Sequence, residues 1–199
     1  MFDLLETFQI KNGAIQHLHY HQKRVNEAFL DLYQLDNAFS LKDFFEQQEL
    51  PSEGIFRGRL LYEEEIKSFE ILPYTEKIIK TFTLIDVEEY EYPYKWADRS
   101  FFAFHLQNNP EVDEVIFHKN GLITDCTIAN LVFWKGEKAY TPKQPLLNGT
   151  TRTRLLTENK IQEIDIFVKQ IHEFERISLI NVFRELNYEN SLSLTDCIV

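Results

Sequence analysis

The sequence predicts a two-part α+β protein, and three observations carry that expectation. An Asn12-Gly13 pair between strand-like runs opens the chain as a hairpin. Apolar residues at helical spacing follow over 22–35. From residue 112 onward, short β-rich runs are joined by turn pairs at Asn120-Gly121 and Lys135-Gly136.

The elements follow in order. Within 22–35, Val25, Phe29, Leu32 and Tyr33 recur at helical spacing while Lys23, Asn26, Glu27 and Asp31 lie on the other side. A second helix is expected near 41–48. Two strand-like runs between 55 and 72 flank Glu63-Glu64-Glu65, and residues 77–87 add a stretch rich in β-branched and aromatic residues. These form a small α+β domain, 1–90. Around 90–96 the pattern breaks into aromatic, polar and proline residues, which suits a crossing between two parts. Beyond it, strands are expected over 112–117, 122–125, 130–134 and 138–140, with helices near 99–107 and 151–160 and a late strand about 177–180. They make a larger β-rich domain, 91–199.

Composition bounds the function. With 199 residues, 44% hydrophobic and 27% charged, the chain can bury a sizeable core without disulfide or metal staples. No run approaches the roughly 18 apolar residues of a spanning helix, and the opening Met1-Phe2-Asp3-Leu4-Leu5-Glu6-Thr7 lacks a basic region ahead of an apolar one. A cytoplasmic address is expected. Cys126 and Cys197 lack the paired short spacings of a zinc site and read as ordinary thiols. The net charge of −11 repels phosphate backbones and anionic membranes, so neither nucleic acid nor a membrane is expected as a partner. An anionic ligand would need the few basic residues gathered locally.

Chemistry concentrates between residues 94 and 155. Lys95 sits in Tyr94-Lys95-Trp96-Ala97-Asp98-Arg99, where aromatic neighbours and a nearby cation depress an amine's pKa, as an imine-forming lysine requires. A surface lysine beside two aromatics is the plainer reading. Asp125 ends a strand run in Gly121-Leu-Ile-Thr-Asp125-Cys-Thr-Ile-Ala-Asn130 and could hold a positive charge, or could cap a turn. The loop Leu146-Leu147-Asn148-Gly149-Thr150-Thr151-Arg152 offers helix-start N–H groups, two hydroxyls and nearby arginines to a phosphate. Alternatively, Thr150 or Thr151 is simply an N-cap.

Taken together and in this order, these segments resemble the class-IV aminotransferases, the fold type IV enzymes of pyridoxal 5'-phosphate (PLP). The likeness spans Leu5-Glu6-Thr7, His21-Gln-Lys-Arg24, the lysine, the acid-to-asparagine segment, Thr141-Pro142, Leu146-Leu147, Gly149-Thr-Thr-Arg152 and Ile180-Asn181. It implies a small N-terminal unit and a larger β-rich unit with the cofactor between them, and a homodimer. It also implies that Lys95 forms the imine link and shuttles protons, and that Asp125 pairs with the protonated pyridine nitrogen. The phosphate would be held by Arg24, Thr150, Thr151 and a backbone group near Asn181. Two departures stand out: the family has glutamate at Asp125, and a hydroxyl residue where Val182 follows Asn181.

The spacing from Lys95 to Arg99 resembles that of 4-amino-4-deoxychorismate lyases, and no Arg-x-His carboxylate trap precedes the lysine. The expected reaction is loss of pyruvate to leave 4-aminobenzoate. An aminotransferase moving an amino group from a branched-chain or D-amino acid to a 2-oxo acid is the alternative, and a catalytically inactive PLP-binding protein is a third reading. His17, His19 and His21 alternate as on a strand, but no partner ligand accompanies them and no metal is expected. Tyr90, Tyr92 and Tyr94 also alternate and read as strand packing, with one of them a possible border of the substrate pocket. Arg57 and Arg59 alternate as well, as surface residues or as receivers of a substrate carboxylate.

Overall fold

In the computed structural model, which describes residues 3–35 and 39–199, Asn12 and Gly13 take positive φ values of 53° and 72°. That is the signature of a primed hairpin turn. It closes β1 (Leu4–Lys11) onto β2 (Ala14–Ile15). β3 (Ile55–Tyr62) and β4 (Ile66–Pro73) complete an antiparallel sheet in the order β2-β1-β3-β4. Strand alternation turns Leu4, Phe8 and Ile10 of β1 to one face. Leu4 and Phe8 pack with Leu60 and Tyr62 of the sheet against α1 (Leu18–Tyr33) and α2 (Leu41–Phe45). Val25, Ala28 and Phe29 supply the buried stripe of α1, and the Phe8 and Phe45 rings meet edge-on at 4.9 Å.

α1 starts four residues before the expected boundary. His17 adopts left-handed φ of 54° at the N-cap, so His19 and His21 lie on a helix and not on a strand. The helix ends at Tyr33 because Gln34 goes left-handed and its N–H, with that of Leu35, returns to the carbonyls of Leu30 and Phe29.

β2 covers only the Ile10–Lys11 end of its edge of β1. The other end is taken by the segment around Lys95: Leu5 N–H donates to the Lys95 carbonyl at 2.8 Å, Ala97 N–H donates to Asp3 at 2.8 Å, and Leu4 bridges Trp96. Tyr94–Asp98 therefore packs with Met1–Glu76 as one unit, and Lys77–Pro93 with Arg99–Val199 as a second. The sequence reading divided the chain once, at residue 90, and grouped Lys95 with the later part.

The second unit is built on β5 (Phe82–Asp86), β6 (Glu114–Lys119), β7 (Leu122–Cys126), β8 (Asn130–Lys135), β9 (Lys138–Pro142) and β10 (Gln162–Ile164), in the order β10-β9-β8-β7-β6-β5. β11 (Arg176–Ile180) pairs with β8 and with β12 (Leu192–Ser193). Helices α3 (Ser100–Gln107), α4 (Thr150–Thr157) and α5 (Leu194–Cys197), with a 3-10 turn at Val168–Glu173, complete it. The stretch 77–87, read from the sequence as part of the small domain, belongs here. Phe82 and Ile79 enter the core formed by Ile116, Leu131, Phe133 and Ile177, and β5 runs parallel to β6. Parallel pairing requires a crossover, here the segment containing α3. Among the described residues, no helix is long and apolar enough to cross a membrane.

Candidate active site

The second unit builds its chemistry around one hairpin. β7 and β8 are joined by the three residues 127–129, with Cys126 N–H donating to the Ala129 carbonyl at 3.1 Å, and this sets Asp125 opposite Asn130. Residues directly opposite on adjacent strands have neighbouring side chains. Asn130 Nδ2 donates to Asp125 Oδ1 at 2.7 Å and to the Leu147 carbonyl at 2.8 Å, while Leu147 N–H donates to Asp125 Oδ2 at 2.9 Å.

Asp125 is only 4% exposed. Burial pushes its carboxyl up to about 7, although the hydrogen bonds from Leu147 and Asn130 and the charge of Arg152 pull the other way. These two hydrogen-bond donors are both neutral. A buried carboxylate so placed holds its proton far above the usual carboxylate range until a cation meets it.

The hairpin tip is gripped from two sides. Arg99 Nη2 donates to the Thr127 carbonyl, and its guanidinium lies 4.4 Å over the Phe102 ring. Asn181 Nδ2 donates to the Ile128 carbonyl at 3.1 Å, and its Oδ1 accepts from the N–H groups of Phe183 and Arg184 at 2.8 and 3.1 Å. Thr127 Oγ1 donates to Glu114 at 2.9 Å. The Asn181 side chain thus holds the hairpin that carries Asp125, and Arg99 does the same from α3.

The loop before α4 differs from its plainer reading. Gly149 occupies the cap position, and Thr150 and Thr151 are the first two helical residues, both buried and neither capping the helix with its side chain. Their N–H groups are among those that a helix leaves without an intrahelical acceptor. The neighbouring arginines, counted from the sequence toward an anion, serve the fold. Arg152 spends its guanidinium on Asn148, the Pro142 carbonyl and Glu163, and Arg154 on Glu185 and Glu158. Cys126 and Cys197 are free and buried, and burial pushes both thiols up, as ordinary inert thiols.

The first unit gathers Arg24 and His21 about Glu6, and the charge of Lys95 is felt at His21. Glu6 is fully buried on the apolar face of β1. Arg24 grips it with a fork, Nε to Oε1 at 2.7 Å and Nη2 to Oε2 at 2.6 Å, and His21 Nδ1 lies 2.6 Å from Oε2. Burial alone would raise the Glu6 carboxyl, but the Arg24 charge and the His21 hydrogen bond overcome it and hold the group at about 2. Burial also lowers the His21 pKa, with the charges of Arg24 and Lys95 acting in the same direction and the hydrogen bond and charge of Glu6 opposing them; an ionised Glu6 can only accept, so Nδ1 carries the proton between the two groups. The signal was present in the sequence: Glu6 interrupts the alternation Leu4, Phe8, Ile10.

Tyr92 is buried against Phe102 in the second unit, Tyr90 stacks on Phe101, and Tyr94 belongs to the first unit beside Trp96. Among the described residues, no group of three or more His, Cys, Asp and Glu is arranged to hold a metal ion.

Comparison with known proteins accords with this arrangement. The family model for amino-transferase class IV matches residues 73–186. An uncharacterized protein of Haemophilus influenzae is 37% identical over 189 residues, covering 94% of this chain and 100% of that one. The crystal structure of a candidate 4-amino-4-deoxychorismate lyase from Haemophilus somnus superposes with a TM-score of 0.85 at 31% identity, covering 94% of this chain and 98% of the other. The PLP-bound form of a hypothetical aminotransferase from Mycobacterium tuberculosis has a TM-score of 0.71 at 15% identity, covering 91% and 78%, and shares the fold. The fold is that of the fold type IV enzymes, and the chain belongs to the class IV amino-transferase family, whose members depend on PLP.

Proposed function

We propose that this chain is a PLP-dependent lyase of the 4-amino-4-deoxychorismate type, releasing pyruvate and leaving 4-aminobenzoate. The observation that carries the cofactor part is Asp125, a buried carboxylate with neutral hydrogen-bond donors and a pKa pushed up to about 7. It fits a protonated ring nitrogen, which supplies the cation its surroundings lack. The lyase part is supported by the 31% identical Haemophilus somnus protein and by the spacing from Lys95 to Arg99.

Bound PLP supplies an electron-withdrawing ring that stabilises negative charge on the neighbouring substrate carbon. Lys95 Nζ would anchor the cofactor, take the proton from the amine-bearing carbon and return it to the three-carbon unit as that unit's C–O bond to the ring breaks, so that it leaves as pyruvate. Asp125 keeps the ring nitrogen protonated. Arg24 and the N–H groups and hydroxyls of Thr150 and Thr151 hold the phosphate, with a backbone group near Asn181. Arg57 and Arg59, on the same face of β3 by strand alternation, offer cations to the substrate's carboxylates. The same reading makes the enzyme a cytoplasmic homodimer acting on a small amino-bearing molecule. The net charge of −11 supports the exclusion of nucleic acid and membrane as partners.

Two incubations test the reaction. A lyase needs one substrate and leaves its cofactor in the aldehyde form when given amino acids alone, whereas an aminotransferase converts it to pyridoxamine phosphate in the first half of a ping-pong cycle. Aminodeoxychorismate should yield pyruvate and 4-aminobenzoate. Rapid conversion to pyridoxamine phosphate without 4-aminobenzoate moves the assignment to an aminotransferase. A yellow protein silent in both assays is a binding protein.

A further inference from the structure

Gly149 is a glycine whose backbone does not require one. Its φ of −68° and ψ of 146° suit any residue. Space is what forbids a side chain: a Cβ there would lie 2.1 Å from Asn130 Oδ1, 3.3 Å from its Cγ and 3.9 Å from its Nδ2, and these are its three nearest heavy atoms beyond the adjoining residues. That amide cannot swing aside cheaply. It is 6% exposed, and Nδ2 is tied at once to Asp125 Oδ1 and to the Leu147 carbonyl. Leu147 N–H in turn holds Asp125 Oδ2. A closed ring of contacts therefore runs from Asp125 through Asn130 to the backbone at 147 and 149, directly before the first turn of α4.

We propose that Asn130 is a positioning residue that locks the carboxylate of Asp125 to the loop opening α4, so that the groups meeting the two ends of the cofactor are set by one side chain. This rests on the reading above, in which Asp125 faces the ring nitrogen and the α4 start faces the phosphate. Asn130 acts through both and need touch neither. Its place follows from the hairpin: the turn closed by the Cys126 N–H to Ala129 carbonyl bond makes positions 125 and 130 cross-strand partners, and asparagine is short enough to donate both sideways and to the loop.

The test is a set of PLP titrations of the cofactor-free protein, followed by absorbance, for the parent, Asn130→Ala, Gly149→Ala and the double variant. Thermal unfolding without cofactor establishes that each is folded. Losing a hydrogen bond to a charged group should weaken binding roughly 10- to 100-fold in Asn130→Ala. Gly149→Ala should do comparable damage, because its methyl group expels the amide. In the double variant the amide that the methyl would strike is gone, so binding should be no weaker than in Asn130→Ala alone. A glycine needed for its own sake would instead multiply the two losses. Should Asn130→Ala not fold, Asn130→Ser keeps one hydroxyl, and the same non-multiplying pattern with Gly149→Ala is expected at a smaller loss. Multiplying losses, or parent-like binding in Asn130→Ala, overturns the proposal while leaving the cofactor reading intact. A parent that binds no PLP overturns both.

Discussion

Replacing Asp125 with asparagine in the cofactor-free protein should change the dependence of stability on pH, and the size can be worked from the structure. The folded carboxyl takes its proton at about 7, against an ordinary value of 3.8 in the unfolded chain. Between those values the folded state holds the proton more tightly, so this group's contribution to stability is complete below about 3.8, declines as pH rises, and is lost above about 7. At about 1.4 kcal/mol per pH unit, the full loss is about 4 kcal/mol. The group is fully buried, so little of this is screened by solvent. Asparagine does not titrate. The difference in unfolding free energy, variant minus parent, should be level only well below the unfolded value of 3.8, climb through the window and level again near pH 8.

The final level is the 4 kcal/mol less a pH-independent cost of about 1–3 kcal/mol for setting an amide N–H₂ against one of the two donors. Urea unfolding at several pH values from about 3 to 8 measures it. Glu6, held at about 2, titrates in both proteins and cancels in the difference. Parallel curves for parent and variant would refute the placement of Asp125 in an uncompensated site. The loaded enzyme should respond in the opposite sense. Loss of the charged hydrogen bond to the ring nitrogen should slow turnover by orders of magnitude.

Two further outcomes are expected. Borohydride reduction of PLP-loaded protein followed by peptide mapping should label Lys95; label on Lys80 or Lys119, or none, contradicts the assignment. Arg24→Ala should weaken PLP binding by about 2–3 kcal/mol, the upper range for a charged hydrogen bond. It should also lower the unfolding free energy by about 3–5 kcal/mol by leaving the Glu6 charge buried. Parent-like affinity and parent-like unfolding in that variant would contradict both roles.

Local signals in the sequence located the turns at Asn12-Gly13 and Asn120-Gly121, Val25 and Phe29 on the buried stripe of α1 and the strand runs around Asp125, because each depends on neighbours within a few residues, whereas Leu32, expected on that stripe, is exposed. Sheet membership does not. Residues 77–87 look like strand wherever they pair, and only the parallel register with β6 places β5 in the second unit. Lys95 was legible as a chemical candidate, but its attachment beside Leu5 uses backbone groups that carry no sequence signal. The arginines near Gly149 were overvalued for the same reason: Arg152 and Arg154 find Glu163 and Glu185, 11 and 31 residues away, and those pairings are set by the fold.

The two buried carboxylates separate structure from chemistry. Glu6 and Asp125 are both removed from water, and burial alone would raise the pKa of each. Glu6 has a guanidinium fork and an imidazole N–H on its oxygens and stays ionised down to about 2. Asp125 has an amide and a backbone N–H, and its carboxyl rises to about 7. The nearby Arg152 already spends its guanidinium on Glu163. A carboxylate kept for the fold is surrounded by the cations that make its burial tolerable, as Glu6 is. One left short of a cation costs the empty protein stability, and groups so perturbed cluster at functional sites. That contrast places Glu6 in the architecture around Arg24 and, on the proposed reading, makes Asp125 the group that a protonated ring nitrogen would complete.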